Sequence, residues 1–311
     1  MAFSPSSLPN KLILIIFFMS LYDCELAAAT TTTTTTGSFC NRTCGEIEIP
    51  YPFGTTEECY LANDTYRGQN FLVTCKDDGK LYWATKNVTN TTIQISQINV
   101  SAAHIKILLR YIGEDCYNEF GQSQSVRKQG QLTTGSFVVS TTQNKFTVLG
   151  CDTYGQMTNQ QNNMTFFTAC TSYCASLTDV QDGKCDGLGC CQVPIPQNTH
   201  SLNSNAFSYY NHSKVFGFNP CGYAFIADTS VYNFSTKHLN QMPSEEERPV
   251  VLEWAISNKT CDEAAKDSQT FACNGQNNAC LDVQNGEGYR CKCLDGYEGN
   301  PYLFDGCKGT N

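Results

Sequence analysis

Apolar and polar residues alternate with period two along much of the chain. In His104-Ile105-Lys106-Ile107-Leu108-Leu109-Arg110-Tyr111, the residues Ile105, Ile107, Leu109 and Tyr111 share one face. His104, Lys106 and Arg110 share the other, with Leu108 as the exception. That pattern predicts a half-buried β-strand, because successive side chains of a strand point to opposite sides of the sheet. Shorter runs of the same kind are Phe71-Leu72-Val73, Ile93-Gln94-Ile95, Phe137-Val138-Val139, Phe146-Thr147-Val148 and Tyr223-Ala224-Phe225-Ile226. Gly, Asn and Asp clusters between them supply turns. No long stretch has the 3.6-residue period of an amphipathic helix. The charged segment Ser244 to Pro249 reads as a solvated connector. An all-β chain is predicted.

The N-terminus departs from this pattern. Lys11 precedes the apolar run Leu12 to Met19, and Ala27-Ala28-Ala29 follows. A charge, a short apolar run and a small-residue exit predict a secretory signal peptide over residues 1–29. The run is too short to span a bilayer, which takes about 20 apolar residues. Nor does any later run approach that length, so no membrane span is expected. Thr30 to Thr36 form an unbroken threonine run, and residues 30–37 read as an exposed leader.

Cysteine content agrees with secretion. Of 19 cysteines, Cys24 lies in the signal segment and the other 18 can all pair. Such density belongs to an oxidising compartment. A zinc protein would need thiolates and usually histidines. Only His104, His200, His212 and His238 are present, none beside a cysteine pair, so no metal site is predicted. Asn-x-Ser/Thr sequons occur at Asn41, Asn63, Asn87, Asn90, Asn99, Asn163, Asn211, Asn233 and Asn258. Behind a signal peptide they predict a glycosylated surface.

The last sixty residues change character, with few apolar strands and much Cys, Gly and Asn. Cys261, Cys273, Cys280, Cys291, Cys293 and Cys307 predict a small module held by disulfides rather than by a core. Six cysteines alone allow 15 connectivities.

Two motifs narrow the class to a family. Cys40-x3-Cys44-Gly45, then Ile49-Pro50-Tyr51-Pro52-Phe53-Gly54, Cys59 and Cys75 resemble the galacturonan-binding domain of plant wall-associated receptor kinases. Gly189-Cys190-Cys191-Gln192-Val193-Pro194-Ile195-Pro196 resembles the middle region of the same ectodomains. Around it stand Gly150-Cys151-Asp152, Cys170-x3-Cys174, Cys185 and Asn219-Pro220-Cys221-Gly222-Tyr223. Gly288-Tyr289-Arg290-Cys291-Lys292-Cys293 and Gly296 to Tyr302 look like the family's epidermal-growth-factor-like (EGF-like) module. The resemblance implies the pairs Cys261–Cys280, Cys273–Cys291 and Cys293–Cys307. It also implies a galacturonan-binding-type β domain over 38–110, a cysteine-rich β region over 111–250 and an EGF-like module over 251–311. Prolines flanking Tyr51 predict an extended segment from Pro50 to Phe53, with Tyr51 or Phe53 partly buried. Ser257-Asn258-Lys259-Thr260 lacks the acidic cluster of calcium-binding modules of this kind.

Enzyme chemistry has no support in these residues. There is no Gly-x-Ser-x-Gly elbow, no His-Glu-x-x-His and none of the kinase motifs. Asp77-Asp78 reads as a solvated turn rather than as a glycosidase pair. No catalytic residue is assigned and no cofactor is expected, calcium as a bridge to pectate apart.

The resemblance implies binding of cell-wall pectin or oligogalacturonides by a secreted protein, in the wall or at the outer face of the plasma membrane. A full-length receptor of this kind would be membrane-bound. Pectate is a polyanion, whereas the net charge of −9 becomes −8 once Lys11, Asp23 and Glu25 are removed. That acidity excludes nucleic acid as a partner, and pectate binding needs a local cationic patch. Arg42, Arg67, Lys76 and Lys80 are the candidate cations, with Tyr51 as an aromatic contact. Lys86 follows them, and Lys106 and Arg110 share a strand face. Opposing these cations are Glu46, Glu48, Glu57 and Glu58. The alternative is a receptor ectodomain that binds extracellular peptides or a co-receptor without carbohydrate specificity.

Overall fold

The computed structural model describes residues 40–62, 71–83, 93–110, 112–125, 129–161, 164–242 and 247–310. The fold is all-β and disulfide-rich. Strands β1 (Thr43–Cys44) and β2 (Ile47–Glu48) form a short hairpin. They are followed by β3 (Val73–Cys75), β4 (Leu81–Trp83), β5 (Gln94–Asn99), β6 (His104–Leu109), β7 (Gly113–Cys116), β8 (Gln129–Thr133) and β9 (Val138–Val139). Next come β10 (Asn144–Leu149), β11 (Asp152–Gln161), β12 (Met164–Tyr173), β13 (Cys190–Pro194), β14 (Ser201–Ser208), β15 (Cys221–Asp228) and β16 (Arg248–Glu253). A four-residue helix, α1 (Cys261–Ala264), precedes β17 (Asn278–Asp282), β18 (Tyr289–Cys293), β19 (Tyr297–Gly299) and β20 (Cys307–Gly309).

The first large sheet has the order β3-β4-β5-β6-β16-β9 and is antiparallel throughout. Strand β6 follows its sequence pattern: Ile105, Ile107 and Leu109 are buried, while His104, Lys106 and Leu108 are half-buried. Its partner β16 pairs Val250 with Ile107 and Leu252 with Ile105. This corrects the reading of Ser244 to Pro249 as a connector. Residues 243–246 lie outside the described residues, but Arg248 is buried and opens β16, its guanidinium over the ring of Phe225. The charges hid a strand whose apolar half begins only at Val250. Because β6 and β16 are neighbours, the sheet crosses the segment boundary near residue 110.

Beneath this sheet lies an aromatic cluster. Phe53 meets Phe71 and Trp254 edge-on, each at a centroid distance of 5.1 Å, and Trp83 meets Phe137 at 4.6 Å. Such edge-to-face pairs place the positive ring edge against the negative face of the next ring. Phe53 is fully buried, so the Pro-Tyr-Pro-Phe segment serves packing. The segment is not extended. Residues 50–53 form a tight turn around a cis Tyr51–Pro52 peptide, and the Phe53 N–H donates to the Pro50 carbonyl at 2.9 Å. The two prolines favour the turn because each removes a backbone donor that a strand would use. Cys40–Cys59 and Cys44–Cys75 clamp the hairpin onto this unit.

The middle of the chain is a sandwich of two four-stranded sheets, β13-β10-β15-β7 and β12-β11-β14-β8. Gly155 on β11 lets the sheets approach: a Cβ there would overlap Val148 and crowd Ala224 on the opposing sheet. Cys170–Cys191 joins the two sheets, and Cys116–Cys221, Cys151–Cys174 and Cys185–Cys190 fix strand ends and loops. Strands β11, β12 and β14 were not foreseen as a group.

In the C-terminal segment Cys261–Cys280, Cys273–Cys291 and Cys293–Cys307 are bonded. Thr260 caps α1 by accepting from the Glu263 N–H, and Glu263 reciprocates toward Thr260. The segment is not held by disulfides alone. Tyr289, Tyr302, Cys273 and Cys291 belong to the same buried cluster as Ile49, Phe53 and Trp254. Among the described residues no helix is long and apolar enough to cross a membrane.

Candidate functional site

The turn between β3 and β4 brings two of the candidate cations together. Lys76, Asp77, Asp78, Gly79 and Lys80 reverse the chain: the Lys76 N–H donates to the Lys80 carbonyl at 3.1 Å and the Gly79 N–H to the Lys76 carbonyl at 2.9 Å. Gly79 takes a left-handed φ of 73°, which glycine adopts at little cost. Asp78 is engaged within the turn, accepting from the Lys80 N–H at 3.0 Å and from the Tyr82 hydroxyl at 3.4 Å. Lys76 Nζ stands 3.9 Å from the centre of the Tyr82 ring, a cation–π arrangement that orders the ammonium. Desolvation and the neighbouring Asp78 carboxylate push the Tyr82 phenol up from its ordinary value. The Lys76 and Lys80 side chains are exposed.

The β1–β2 hairpin leans on this turn. Gly45 packs directly against the Gly79 carbonyl, and Cys44–Cys75 bonds the two elements beside that contact. Arg42 precedes the hairpin with its side chain exposed and its carbonyl accepting from the Ile49 N–H at 2.7 Å. Arg42, Lys76 and Lys80 therefore stand on two elements that one disulfide locks together. Glu46 and Asp77 are exposed on the same two elements and dilute the positive charge.

The other candidates are placed differently. Arg67 and Lys86 lie outside the described residues. Tyr51 is half-buried, its carbonyl accepts from Asn300 Nδ2 of the C-terminal segment at 2.6 Å, and burial pushes its phenol up. Lys106 Nζ sits 2.8 Å from the buried Asp228 carboxylate, and Arg110 Nε sits 2.8 Å from Glu247. These last two cations are committed to pairs within the fold, with partners too far along the chain for sequence reading to find.

A groove of about 600 Å³ was also not foreseen. It runs between the N-terminal unit and the C-terminal segment, with Glu48, Gln97 and Asn99 on one wall and Lys292, Tyr297 and Asn300 on the other. Its charges are mixed, and Lys292 is 3.4 Å from Asp295. Among the described residues no three His, Cys, Asp or Glu side chains converge to hold a metal ion. Asn41, Asn99, Asn211, Asn233 and Asn258 are all exposed, while Asn63, Asn87, Asn90 and Asn163 lie outside the described residues or have undescribed surroundings.

Comparison with known proteins places this geometry. Residues 40–109 match the family model described as wall-associated receptor kinase galacturonan-binding. They comprise the hairpin, the cationic turn and the first four strands of the large sheet. Wall-associated receptor kinase 2 of Arabidopsis thaliana is 35% identical over 273 residues, covering 88% of this chain and 34% of that receptor. Wall-associated receptor kinase 1 of the same plant is 31% identical over 309 residues, covering 96% of this chain and 38% of that receptor. No solved structure matches. The fold and the matched domain define a disulfide-rich β ectodomain. The chain is of the wall-associated receptor kinase type, carrying that family's galacturonan-binding domain. It spans about a third of the length of these curated relatives, and their kinase part has no counterpart in the 311 residues.

Proposed function

We propose that this chain is an extracellular, non-catalytic binding ectodomain that takes de-esterified galacturonan of the plant cell wall on residues 40–109. The observation that carries the reading is the match of those residues to a galacturonan-binding family model. Exposed Arg42, Lys76 and Lys80 supply a mechanism, since they can pair with the carboxylates that de-esterification uncovers. Secretion into the wall or to the outer face of the plasma membrane fits the nine disulfides and the exposed sequon asparagines. The net charge of −9 opposes a polyanion at long range, so binding rests on local cations or on bridging calcium.

The test is retention of the whole glycosylated chain on polygalacturonate against a fully methyl-esterified control, with and without chelator. Retention on polygalacturonate alone, weakening as salt rises, is expected for direct pairing, because exposed charge pairs are screened over about 8 Å at physiological ionic strength. Replacing Arg42, Lys76 and Lys80 together by Gln then lowers retention without changing the fold. Loss on chelation, with little effect of those substitutions, assigns the contact to calcium. Equal retention on both polymers, or on neither, refutes the proposal.

A further inference from the structure

The outward face of the β12-β11-β14-β8 sheet lies outside residues 40–109 and carries chemistry that pectate binding does not use. Along β11, Thr153, Gly155 and Met157 are buried against the opposing sheet, which leaves Tyr154, Gln156 and Thr158 on the outside. Register sets Thr171 and Phe207 on either side of Tyr154, and Thr158 opposite Phe167 and Asn203. Asn205 lies between Gln156 and Gln129, and Asn203 faces Gln131. The described outward side chains of these four strands that remain exposed include aromatic rings, amides and hydroxyls but no charge, on a chain whose net charge is −9; the one charged group in that register, Asp152, is buried.

The rings are ordered as well as exposed. Tyr154 stacks on Phe207 at a centroid distance of 5.1 Å with 21° between planes, and Tyr209 closes on Tyr154 at 4.9 Å. The Tyr209 hydroxyl shares a 3.2 Å hydrogen bond with Thr171 Oγ1. The chain just beyond β14 is fixed by the buried Asp152 carboxylate, which accepts from the N–H groups of Tyr209, Tyr210 and His212 at 3.2, 2.9 and 2.9 Å. Phe167 is nevertheless 65% exposed and Phe207 38%.

We infer that this face binds an uncharged pyranose polysaccharide. Tyr154, flanked by Phe207 and Tyr209, braces the cluster; the exposed rings of Phe167 and Phe207 can meet the C–H faces of sugars, and the Gln and Asn amides offer both donors and acceptors to sugar hydroxyls. The uncharged exposed strand positions favour a neutral glycan over pectate, for which the nearest counter-charge is Lys214, held 3.6 Å over the Tyr210 ring beyond the end of β14. Outward positions of one strand recur every ~6.8 Å along a hairpin of two ten-residue strands, so the platform suits an extended chain rather than a single sugar. The site is independent of the galacturonan reading, and separate polymers and variants test the two.

The test uses the whole glycosylated chain, with depletion on amorphous cellulose and affinity electrophoresis in a soluble mixed-linkage β-glucan. Retention on at least one of these is expected, unchanged by high salt and not displaced by polygalacturonate. Phe167→Ala with Phe207→Ala should weaken it about thirtyfold, two ring contacts of about 1 kcal/mol each at about 1.4 kcal/mol per tenfold. Circular dichroism should not change, Phe167→Ala alone should leave the thermal midpoint in place, Phe207→Ala should lower it slightly by losing its stack on Tyr154, and Phe207→Trp should retain binding. Lys76→Gln with Lys80→Gln should leave it unchanged. Absence of retention on both polymers overturns the proposal, as does retention that salt abolishes or that the ring substitutions leave intact. Light scattering that shows a dimer dissolved by Phe167→Ala would assign the face to a second copy of the chain instead.

Discussion

The indole Nε1 of Trp254 donates a hydrogen bond to the hydroxyl of Tyr302 at 3.1 Å. Trp254 directly follows the last residue of β16, and Tyr302 lies between β19 and β20, so this bond ties the C-terminal segment into the principal core. Both side chains are buried. Tyr302→Phe removes the acceptor and leaves a buried N–H without a partner, at a cost of about 1–3 kcal/mol. Urea unfolding followed by tryptophan fluorescence should show the midpoint fall. Burial also pushes the Tyr302 phenol up to about 12. A raised phenol pKa favours the neutral form in the fold. Its stabilising contribution is therefore complete below the ordinary value of 10.0 and lost as pH rises through about 12. Tyrosinate absorbance during alkaline titration should show this group ionising late, with Tyr223 and Tyr232, whose phenols burial also pushes up, and together with unfolding.

A second tie is Lys106 to Asp228, from β6 to the end of β15. Burial raises the Asp228 pKa, but hydrogen bonds from Lys106 and Ser230 outweigh it and hold the group below its ordinary value. That contribution is present above the ordinary carboxylate value of 3.8 and is lost as pH falls below it. Lys106→Met leaves the buried carboxylate without its cation, for which a loss of about 3 kcal/mol is expected. Denaturant unfolding at neutral pH should show that loss, and the gap from the parent should narrow in acid as Asp228 protonates.

Gly45 carries a left-handed φ of 56° and abuts the Gly79 carbonyl. Gly45→Ala therefore meets both backbone strain and a clash with main chain, which has no flexible end to yield. A loss of about 1–3 kcal/mol is expected. Because the displaced element is the turn bearing Lys76 and Lys80, retention on polygalacturonate should fall together with the thermal midpoint. Thr74→Ala, on the exposed side of β3, should change neither.

The nine disulfides use all 18 cysteines from Cys40 to Cys307. Thiol titration of the secreted protein, denatured without reductant, should give no thiol. A single thiol per chain would mean that Cys24 is retained and that the first 29 residues are not removed.

Much of the β architecture was legible because burial on one face leaves a period-two trace, as in β6. Strands β11, β12 and β14 left none. Their inward positions include Thr153, Gly155, Ser172 and Ser204, small or polar residues that suit two sheets in close approach. Alternation then runs from polar to polar. Lys76 and Lys80 could be paired by eye because one Asp-Gly turn holds them. The ion pairs of Lys106 and Arg110 could not, since tertiary structure alone brings Asp228 and Glu247 to them. Tyr51 was placed by the turn its two prolines form, where an extended segment had been expected.

The β6–β16 pairing sets an order of events during synthesis. One edge of β6 has all its residues on the ribosome long before residues 248–253 exist to cover it. Until then the nascent chain carries an open strand with Ile105, Ile107 and Leu109 on one side, the kind of edge that recruits unwanted strands. Completion of that sheet thus waits until nearly the entire sandwich has been translated, because β16 lies between β6 and β9. A fragment ending at residue 110 lacks β16, keeps that edge of β6 open, and is expected to aggregate.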